Sequence, residues 1–188
     1  MGRADVSAAP GEREWFSEKD WLTRHEGHVT ERQKHPETRL IFVGDSITEG
    51  WQGEGRAIWE KYFAAYEPVC FGIGGDETQH VLWRLEHGAI EEISPRAAVV
   101  MIGTNNLGNS GYQAEEIILG IGAVARKLRE KLPATKVLLL AVFPRDERAG
   151  TPFRKALAAI NAGISKLHDG ERVYFLDLTA EFARGWDN

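Results

Sequence analysis

Five short apolar runs, separated by segments with helical periodicity, constrain the fold of this chain more than any other feature. The runs are rich in β-branched and aliphatic residues, as buried parallel strands are. They span residues 40–43, 69–73, 97–102, 137–142 and 173–176. The helical segments between them span about residues 57–65, 78–87, 113–131 and 153–168. This alternation predicts an α/β fold, in which a parallel sheet carries helices on both faces.

Length and composition are typical of one globular domain. The chain has 188 residues, of which 43% are hydrophobic, and this length can bury a core without a metal or a disulfide. Cys70 is its only cysteine. No apolar run approaches the roughly 20 residues of a membrane span, and the start lacks the apolar segment of a secretory signal. We expect a single cytoplasmic domain (1–188) with a helical lead-in over residues 1–38 and an α/β core over residues 39–188.

The charge distribution argues against nucleic acid as a partner. The formal net charge is -5, and the lysines and arginines are scattered along the chain. Proteins that bind nucleic acid instead carry a basic patch or stripe. We therefore expect a small-molecule ligand.

Three polar loops follow three of the predicted strands. They comprise residues 44–46, 72–76 and 103–106. Ligands of parallel α/β sheets bind beyond the carboxyl ends of the strands, and these ends share one edge of the sheet. The three loops are therefore expected to converge on one site.

Ser46 is the candidate nucleophile. It stands at the exit of the first strand, before a predicted helical turn, so its backbone N–H would point the same way as its hydroxyl. A serine that attacks an ester carbonyl benefits from this geometry, because the N–H can bind the oxygen of the tetrahedral intermediate. The alternative is that Ser46 only caps a helix, as serines after strands often do.

The other two loops offer further hydrogen-bond donors. Gly72, Gly74 and Gly75 allow a sharp turn and a close approach to a ligand, and Asp76 is the predicted N-cap of the next helix. The turn lacks the third glycine of a dinucleotide-binding loop, and no basic residue follows it, which argues against nucleotide binding. The side-chain amide of Asn105 could supply another donor, although two successive asparagines could also form an ordinary turn.

Taken together, these loops resemble the SGNH hydrolase superfamily, also called GDSL hydrolases. The likeness is greatest to the catalytic subunits of type Ib platelet-activating factor acetylhydrolase and their bacterial esterase relatives, and it runs from about residue 15 to residue 182. Besides Gly44-Asp45-Ser46, the segments that carry it are Phe71-Gly72-Ile73-Gly74-Gly75-Asp76, His80-Val81-Leu82-Trp83-Arg84-Leu85, Gly103-Thr104-Asn105-Asn106 and Phe143-Pro144-Arg145.

The resemblance implies both a fold and a chemistry. The fold is a three-layer α/β/α sandwich around a five-stranded, flavodoxin-like parallel sheet. Ser46 is implied as the nucleophile, and the N–H groups of Ser46 and Gly75 with the amide of Asn105 are implied as the oxyanion hole. Members of the superfamily cleave short acyl esters, often acetyl esters, without a metal or a cofactor.

One block of the superfamily has no counterpart in this sequence. It is an Asp-x-x-His pair after the fifth strand, in which the histidine takes the serine proton and the aspartate orients the histidine. We therefore identify no catalytic Asp or His, and we expect the final helix of the superfamily to be missing as well. Serine without a base is a weak nucleophile.

The six histidines are possible substitutes for the absent base. His80 is on the correct side of the sheet, but the matching histidine of the superfamily is not the base, which favours a structural role. The other five are poorly placed and are expected in solvated positions: His25, His28, His35, His87 and His168.

These observations leave two functional hypotheses. The first is a serine esterase for short-chain, acetyl-type esters, and the second is a catalytically impaired binding or interaction module with the same fold. A third alternative is that the natural gene encodes the absent residues. The absent helix would leave apolar surface beside the first strand, which we expect the leading helix or a second subunit, as in a homodimer, to cover.

Overall fold

A computed structural model describes residues 9–12, 14 and 17–184 of the chain. Its centre is a five-stranded parallel sheet with the strand order β2-β1-β3-β4-β5. The strands are β1 (Leu40–Gly44), β2 (Val69–Gly72), β3 (Ala97–Met101), β4 (Lys136–Leu140) and β5 (Val173–Leu176). Each strand ends within about two residues of its predicted run, so the predicted α/β fold with a parallel sheet is confirmed.

Helices connect and flank the strands in the part of the chain that the structure describes. They are α1 (Glu18–Lys34), α2 (Ser46–Glu49), α3 (Arg56–Tyr62), α4 (Thr78–Glu86), α5 (Thr104–Gly108), α6 (Ala114–Lys131), α7 (Pro152–Ile164) and α8 (Thr179–Phe182). The predicted leading helix corresponds to α1, and its apolar residues Trp15 and Phe16 lie outside the described residues. None of these helices combines the length and the apolar character that a bilayer crossing requires.

The main core lies on one face of the sheet. Val43 and Leu139 from the strands pack there with Leu85 from α4, Leu128 from α6 and Ile160 from α7. The period of these helices places their apolar residues on one stripe, and the strands contribute every second residue. This face is closed by helices, as expected for a parallel sheet.

Among the described residues, cover of the opposite face lies over β1 and β2, where Phe42 packs against Trp59 in a second, aromatic cluster. Along β3 and β4 burial alternates, so that Val99 and Leu138 are half-buried between buried neighbours. Leu176 at the end of β5 is 41% exposed. The apolar surface predicted beside the first strand is therefore not found there, because the aromatic cluster covers Phe42; the less buried apolar residues of this open face lie instead along β3, β4 and β5.

Helix α1 packs at the β2 edge of the sheet. Its Trp21 contacts the rings of His80 and Trp83, and its His28 packs edge-on against Phe71 of the main core. The prediction that the leading helix covers the open face is therefore wrong. Cover by a second subunit stays a prediction.

Candidate active site

The three polar loops leave the sheet side by side. Gly44 at the end of β1 is paired with Gly72 of β2 on one side and with Met101 of β3 on the other. A Cβ atom on Gly72 would lie 2.2 Å from the backbone nitrogen of Glu49. Helix α2 can therefore rest on the end of β2 only because this position has no side chain.

Ser46 is the first residue of α2, and it is exposed. The residue that caps this helix is Asp45, whose side chain accepts the N–H of Ile47 at 3.0 Å. The alternative that Ser46 serves as a helix cap therefore does not hold. Among the described residues, no hydrogen-bond partner reaches the Ser46 hydroxyl.

The glycine loop after β2 lies against the nucleophile candidate. A Cβ atom on Gly74 would be 3.7 Å from the Cβ of Ser46. Gly75 has a φ of 82°, a left-handed conformation that favours glycine. The loop is therefore shaped by residues that allow the backbone to approach Ser46 closely.

The sequence predicted that Asp76 caps the following helix, and this prediction is wrong. Helix α4 begins after Glu77, whereas the buried carboxylate of Asp76 points inward and pairs with Arg84 at 2.6 Å. The indole N–H of Trp21 donates to the same carboxylate at 2.6 Å. Arg84 also donates to the carbonyl of Phe71, at 2.7 Å. This buried network ties α1 and α4 to the carboxyl end of β2.

Asn105 stands next to the glycine loop. Its Nδ2 donates to the carbonyl of Asp76 at 2.9 Å, which leaves the second N–H of the amide without a partner among the described residues. Asn106 is fully buried, and its Oδ1 accepts the N–H of Thr78 at 3.1 Å. Both asparagines lie in α5, so the alternative of an ordinary turn does not hold.

Asp45 is a buried carboxyl group at this edge of the sheet with a strongly raised pKa. Burial raises the pKa of Asp45 to about 7, and the nearby charge of Asp76 raises it further, against the lowering effect of the Ile47 N–H. Its Oδ2 is buried without a hydrogen-bond partner. A carboxylate here is costly because the Ile47 N–H and the charge of Arg145 compensate its burial only in part.

The residues matched by the GDSL-like lipase/acylhydrolase family are 42–188, which include all three loops. The chain belongs to this family. This confirms the resemblance drawn from the sequence and places the chain among carboxylic ester hydrolases.

Individual proteins are similar to the chain in sequence or in fold. The chain is 38% identical, over 167 residues, to platelet-activating factor acetylhydrolase IB subunit alpha2 of Gallus gallus. The match covers 86% of this chain and 68% of that protein. Its fold matches a GDSL-like lipase from Bacteroides thetaiotaomicron with a TM-score of 0.66, 22% identity and coverage of 83% and 78%. It also matches a catalytic mutant of an acetylxylan esterase from Geobacillus stearothermophilus, with a TM-score of 0.62, 17% identity and coverage of 77% and 78%.

Some histidines of the chain are buried or half-buried, and others are exposed. His80 is buried, and its Nδ1 accepts the N–H of Glu77 at 3.0 Å, in agreement with the predicted structural role. His25 is 4% exposed and its Nε2 is 2.8 Å from the carbonyl of His87, so the prediction of a solvated position is wrong for His25. It stacks beside Trp21, four residues earlier on the same face of α1.

His28 also departs from the predicted solvated position, because it is half-buried and burial lowers its pKa to about 3. His35 is half-buried as well, whereas His87 and His168 are exposed as predicted. No histidine among the described residues forms a hydrogen bond with Ser46. Nor does the described part of the chain contain a cluster of three metal-ligating side chains.

Sequence reasoning missed two residues of the site. Glu49 of α2 accepts the N–H of Gly74 at 2.9 Å and pairs with Arg24 of α1 at 2.9 Å. Glu49 lies three residues after Ser46, so its position in a helical turn next to the nucleophile was a readable signal. The contribution of α1 was not readable, because it depends on how that helix docks.

Proposed function

We propose that this chain is a serine esterase that hydrolyses short-chain, acetyl-type esters, with Ser46 as the nucleophile. The proposed oxyanion hole consists of the N–H groups of Ser46 and Gly75 and the side-chain amide of Asn105. The observation that carries the proposal is the meeting of an exposed serine, a glycine loop and a partly unpaired amide at one edge of the sheet.

The arrangement supports a two-step acyl transfer. The Ser46 hydroxyl oxygen attacks the acyl carbon and loses its proton to water, and the carbonyl oxygen takes up the negative charge. The backbone donors and Asn105 bind this oxygen without rearranging, and collapse of the intermediate breaks the ester bond and expels the alcohol, whose oxygen takes up a proton from water. Water then attacks the acyl–serine ester and releases the acid. No metal or cofactor takes part in these steps.

The proton acceptor sets the expected rate. In the related acetylxylan esterase, solved catalytic mutants replace a serine, an aspartate and a histidine. Among the described residues of this chain, only the serine has a candidate. Without a positioned base, oxyanion stabilisation and binding alone supply roughly 10³-fold catalysis over water.

A binding module is the second candidate function, favoured by the Ser46 hydroxyl having no hydrogen-bond partner among the described residues. In that case the pocket holds an acyl ester without turning it over.

The proposal for the whole protein also includes a cytoplasmic location and a homodimer that covers the open face over β3, β4 and β5.

Hydrolysis of p-nitrophenyl acetate by the wild type and by Ser46→Ala tests the proposed function. We expect the wild type to release p-nitrophenol faster than Ser46→Ala, which keeps the Gly75 and Asn105 donors but has no nucleophile. An organophosphonate should also label the wild type once per chain, at Ser46, as seen by intact mass. Labelling without turnover would show that Ser46 can still attack although turnover is lost, and the absence of both reactions would overturn the esterase proposal and favour the binding module.

The proposed oxyanion role of Asn105 predicts a loss of rate. Asn105→Ala should lower kcat about 100-fold with a smaller change in KM, because the amide is needed most when the oxygen becomes charged. Gln33→Ala is the control, since Gln33 is an exposed amide on α1. Equal kcat values for Asn105→Ala and the wild type would contradict the role.

A further inference from the structure

Glu49 connects three elements beside the nucleophile candidate. Its Oε2 accepts the N–H of Gly74 from the loop after β2, and its Oε1 pairs with Nη1 of Arg24 from α1. A Cβ atom on Gly74 would lie 3.0 Å from Oε2 of Glu49, 3.7 Å from Cβ of Ser46 and 3.8 Å from Nη1 of Arg24. The carboxylate, the guanidinium and the serine thus surround the same point of the loop.

We propose that Glu49 is a positioning residue that pins the glycine loop, and that Arg24 neutralises its charge; the inference rests on the proposed function of Ser46. By holding the N–H of Gly74, the Glu49 carboxylate fixes the Ile73–Gly74 peptide, which immediately precedes the peptide that carries the Gly75 N–H. It thereby sets the direction of the Gly75 N–H, which is one of the proposed oxyanion donors.

The glycine loop needs an anchoring hydrogen bond because glycine restricts the backbone least of all residues. Two glycines in succession, with Gly75 in a left-handed conformation, leave the loop many alternatives in the absence of an anchor. A hydrogen bond to a carboxylate is shorter and stronger than one between neutral groups. Donors that are fixed in advance stabilise an oxyanion most, because they do not reorganise during the reaction.

Arg24 compensates the negative charge that Glu49 places beside the glycine loop. A lone carboxylate close to the developing oxyanion would repel it and oppose the reaction. The guanidinium of Arg24 offsets that charge at 2.9 Å. The side chains of Arg24 and Glu49 are 48% and 35% exposed, and a solvated ion pair of this kind contributes little to folding stability. Changes at these residues should therefore affect reactivity more than stability.

Four variants separate the effect of the Glu49–Gly74 hydrogen bond from the effect of the Glu49 charge. The measured quantities are kcat and the rate constant of phosphonate labelling at Ser46. Glu49→Ala removes the acceptor and should lower both rates about tenfold with little change in KM. Glu49→Gln keeps an amide oxygen for Gly74 and should stay within about threefold of the wild type. Arg24→Gln should lower both rates about tenfold, and the double variant Arg24→Gln/Glu49→Gln should return to the rates of Glu49→Gln.

A surface ion pair of the same kind serves as the control. Arg56 pairs with Glu60 at 2.9 Å on α3, and Arg56→Gln should leave both rates unchanged. Unchanged rates in Glu49→Ala and Arg24→Gln, with Ser46 reactive in the wild type, would overturn the inference and leave the proposed function standing. A double variant as slow as Arg24→Gln would overturn the role assigned to Arg24.

Amide hydrogen exchange at Gly74 tests the pin without relying on activity. The Gly74 N–H should exchange slowly in the wild type and Glu49→Gln, and at least tenfold faster in Glu49→Ala. Equal exchange in all three proteins would overturn the pin. If Ser46 proves unreactive in the wild type, the proposed function fails and the catalytic part of the inference fails with it, whereas the exchange rates still decide whether Glu49 holds the loop.

Discussion

Replacing Arg84 with methionine should lower the free energy of unfolding by about 3–5 kcal/mol. The Arg84 side chain is 1% exposed and donates to the carboxylate of Asp76, the carbonyl of Phe71 and, at 3.2 Å, the carbonyl of Gly44. Methionine fills a similar volume but supplies no charge and no donor. The variant therefore leaves the buried Asp76 carboxylate without its main compensating charge, which costs more than the ion pair itself contributes.

Arg32→Met provides the matched control. Arg32 is also buried and also forms an ion pair, but its partner Glu92 is 81% exposed and can return to water when the arginine is lost. Arg32→Met should therefore lower the free energy of unfolding by only about 1 kcal/mol. Urea unfolding followed by tryptophan fluorescence gives both values, and the same loss of stability in the two variants would contradict the distinction. Adding Asp76→Asn to Arg84→Met should restore part of the stability, because the unpaired charge is then absent.

The network around Arg84 also shows what can be predicted from the sequence and what cannot. The strands were predictable because buried parallel strands are continuous apolar runs, and the convergence of their loops follows from parallel pairing alone. This is why Ser46, Gly75 and Asn105 could be assigned to one edge of the sheet in advance. Their roles in a reaction stay a proposal.

The partners of buried polar groups were the part that sequence reasoning could not supply. Asp76 has the local pattern of a helix cap, but the charge of Arg84 and the indole of Trp21 draw its carboxylate inward. Trp21 lies 55 residues away along the chain. His25 was predicted to be solvated for the same reason, since its burial depends on the docking of α1 against Trp83. Local propensity is a weak guide where tertiary contacts decide the outcome.

Ionisation of Asp45 should make the protein less stable as the pH rises towards 7. Asp45 is fully buried, and burial raises its pKa in the folded protein to about 7 from the usual 3.8. The folded state thus binds the proton more tightly than the unfolded state does. This contribution is fully present below about pH 4 and is lost between about pH 4 and pH 7, and over the whole window it amounts to about 4 kcal/mol.

His28 has the opposite effect over an overlapping pH range. Burial lowers its pKa in the folded protein to about 3 from 6.5, so its contribution is present above pH 6.5 and is lost as the pH falls towards 3. The two groups partly cancel in the wild type. The difference between a variant and the wild type therefore reports on Asp45 better than the stability curve of the wild type alone.

Asp45→Asn isolates the contribution of Asp45. The asparagine Oδ1 can still accept the N–H of Ile47, but the side chain cannot ionise. Measured by urea unfolding, the stability of Asp45→Asn relative to the wild type should improve by about 3 kcal/mol between pH 5 and pH 8. Asp169→Asn is the control, because three backbone N–H groups lower the pKa of Asp169 and place its titration at acidic pH.

The same difference between Asp45→Asn and the wild type at both pH values would show that Asp45 is ionised throughout the range. Such a result would require a partner for its Oδ2, which is buried and unpaired. The expected result instead means that the residue next to Ser46 is largely protonated below pH 7. Because Asp45 caps the helix that begins at Ser46, its protonation removes a negative charge from the neighbourhood of the developing oxyanion. The Asp45→Asn variant should therefore keep at pH 8 the phosphonate reactivity of Ser46 that the wild type loses on ionisation.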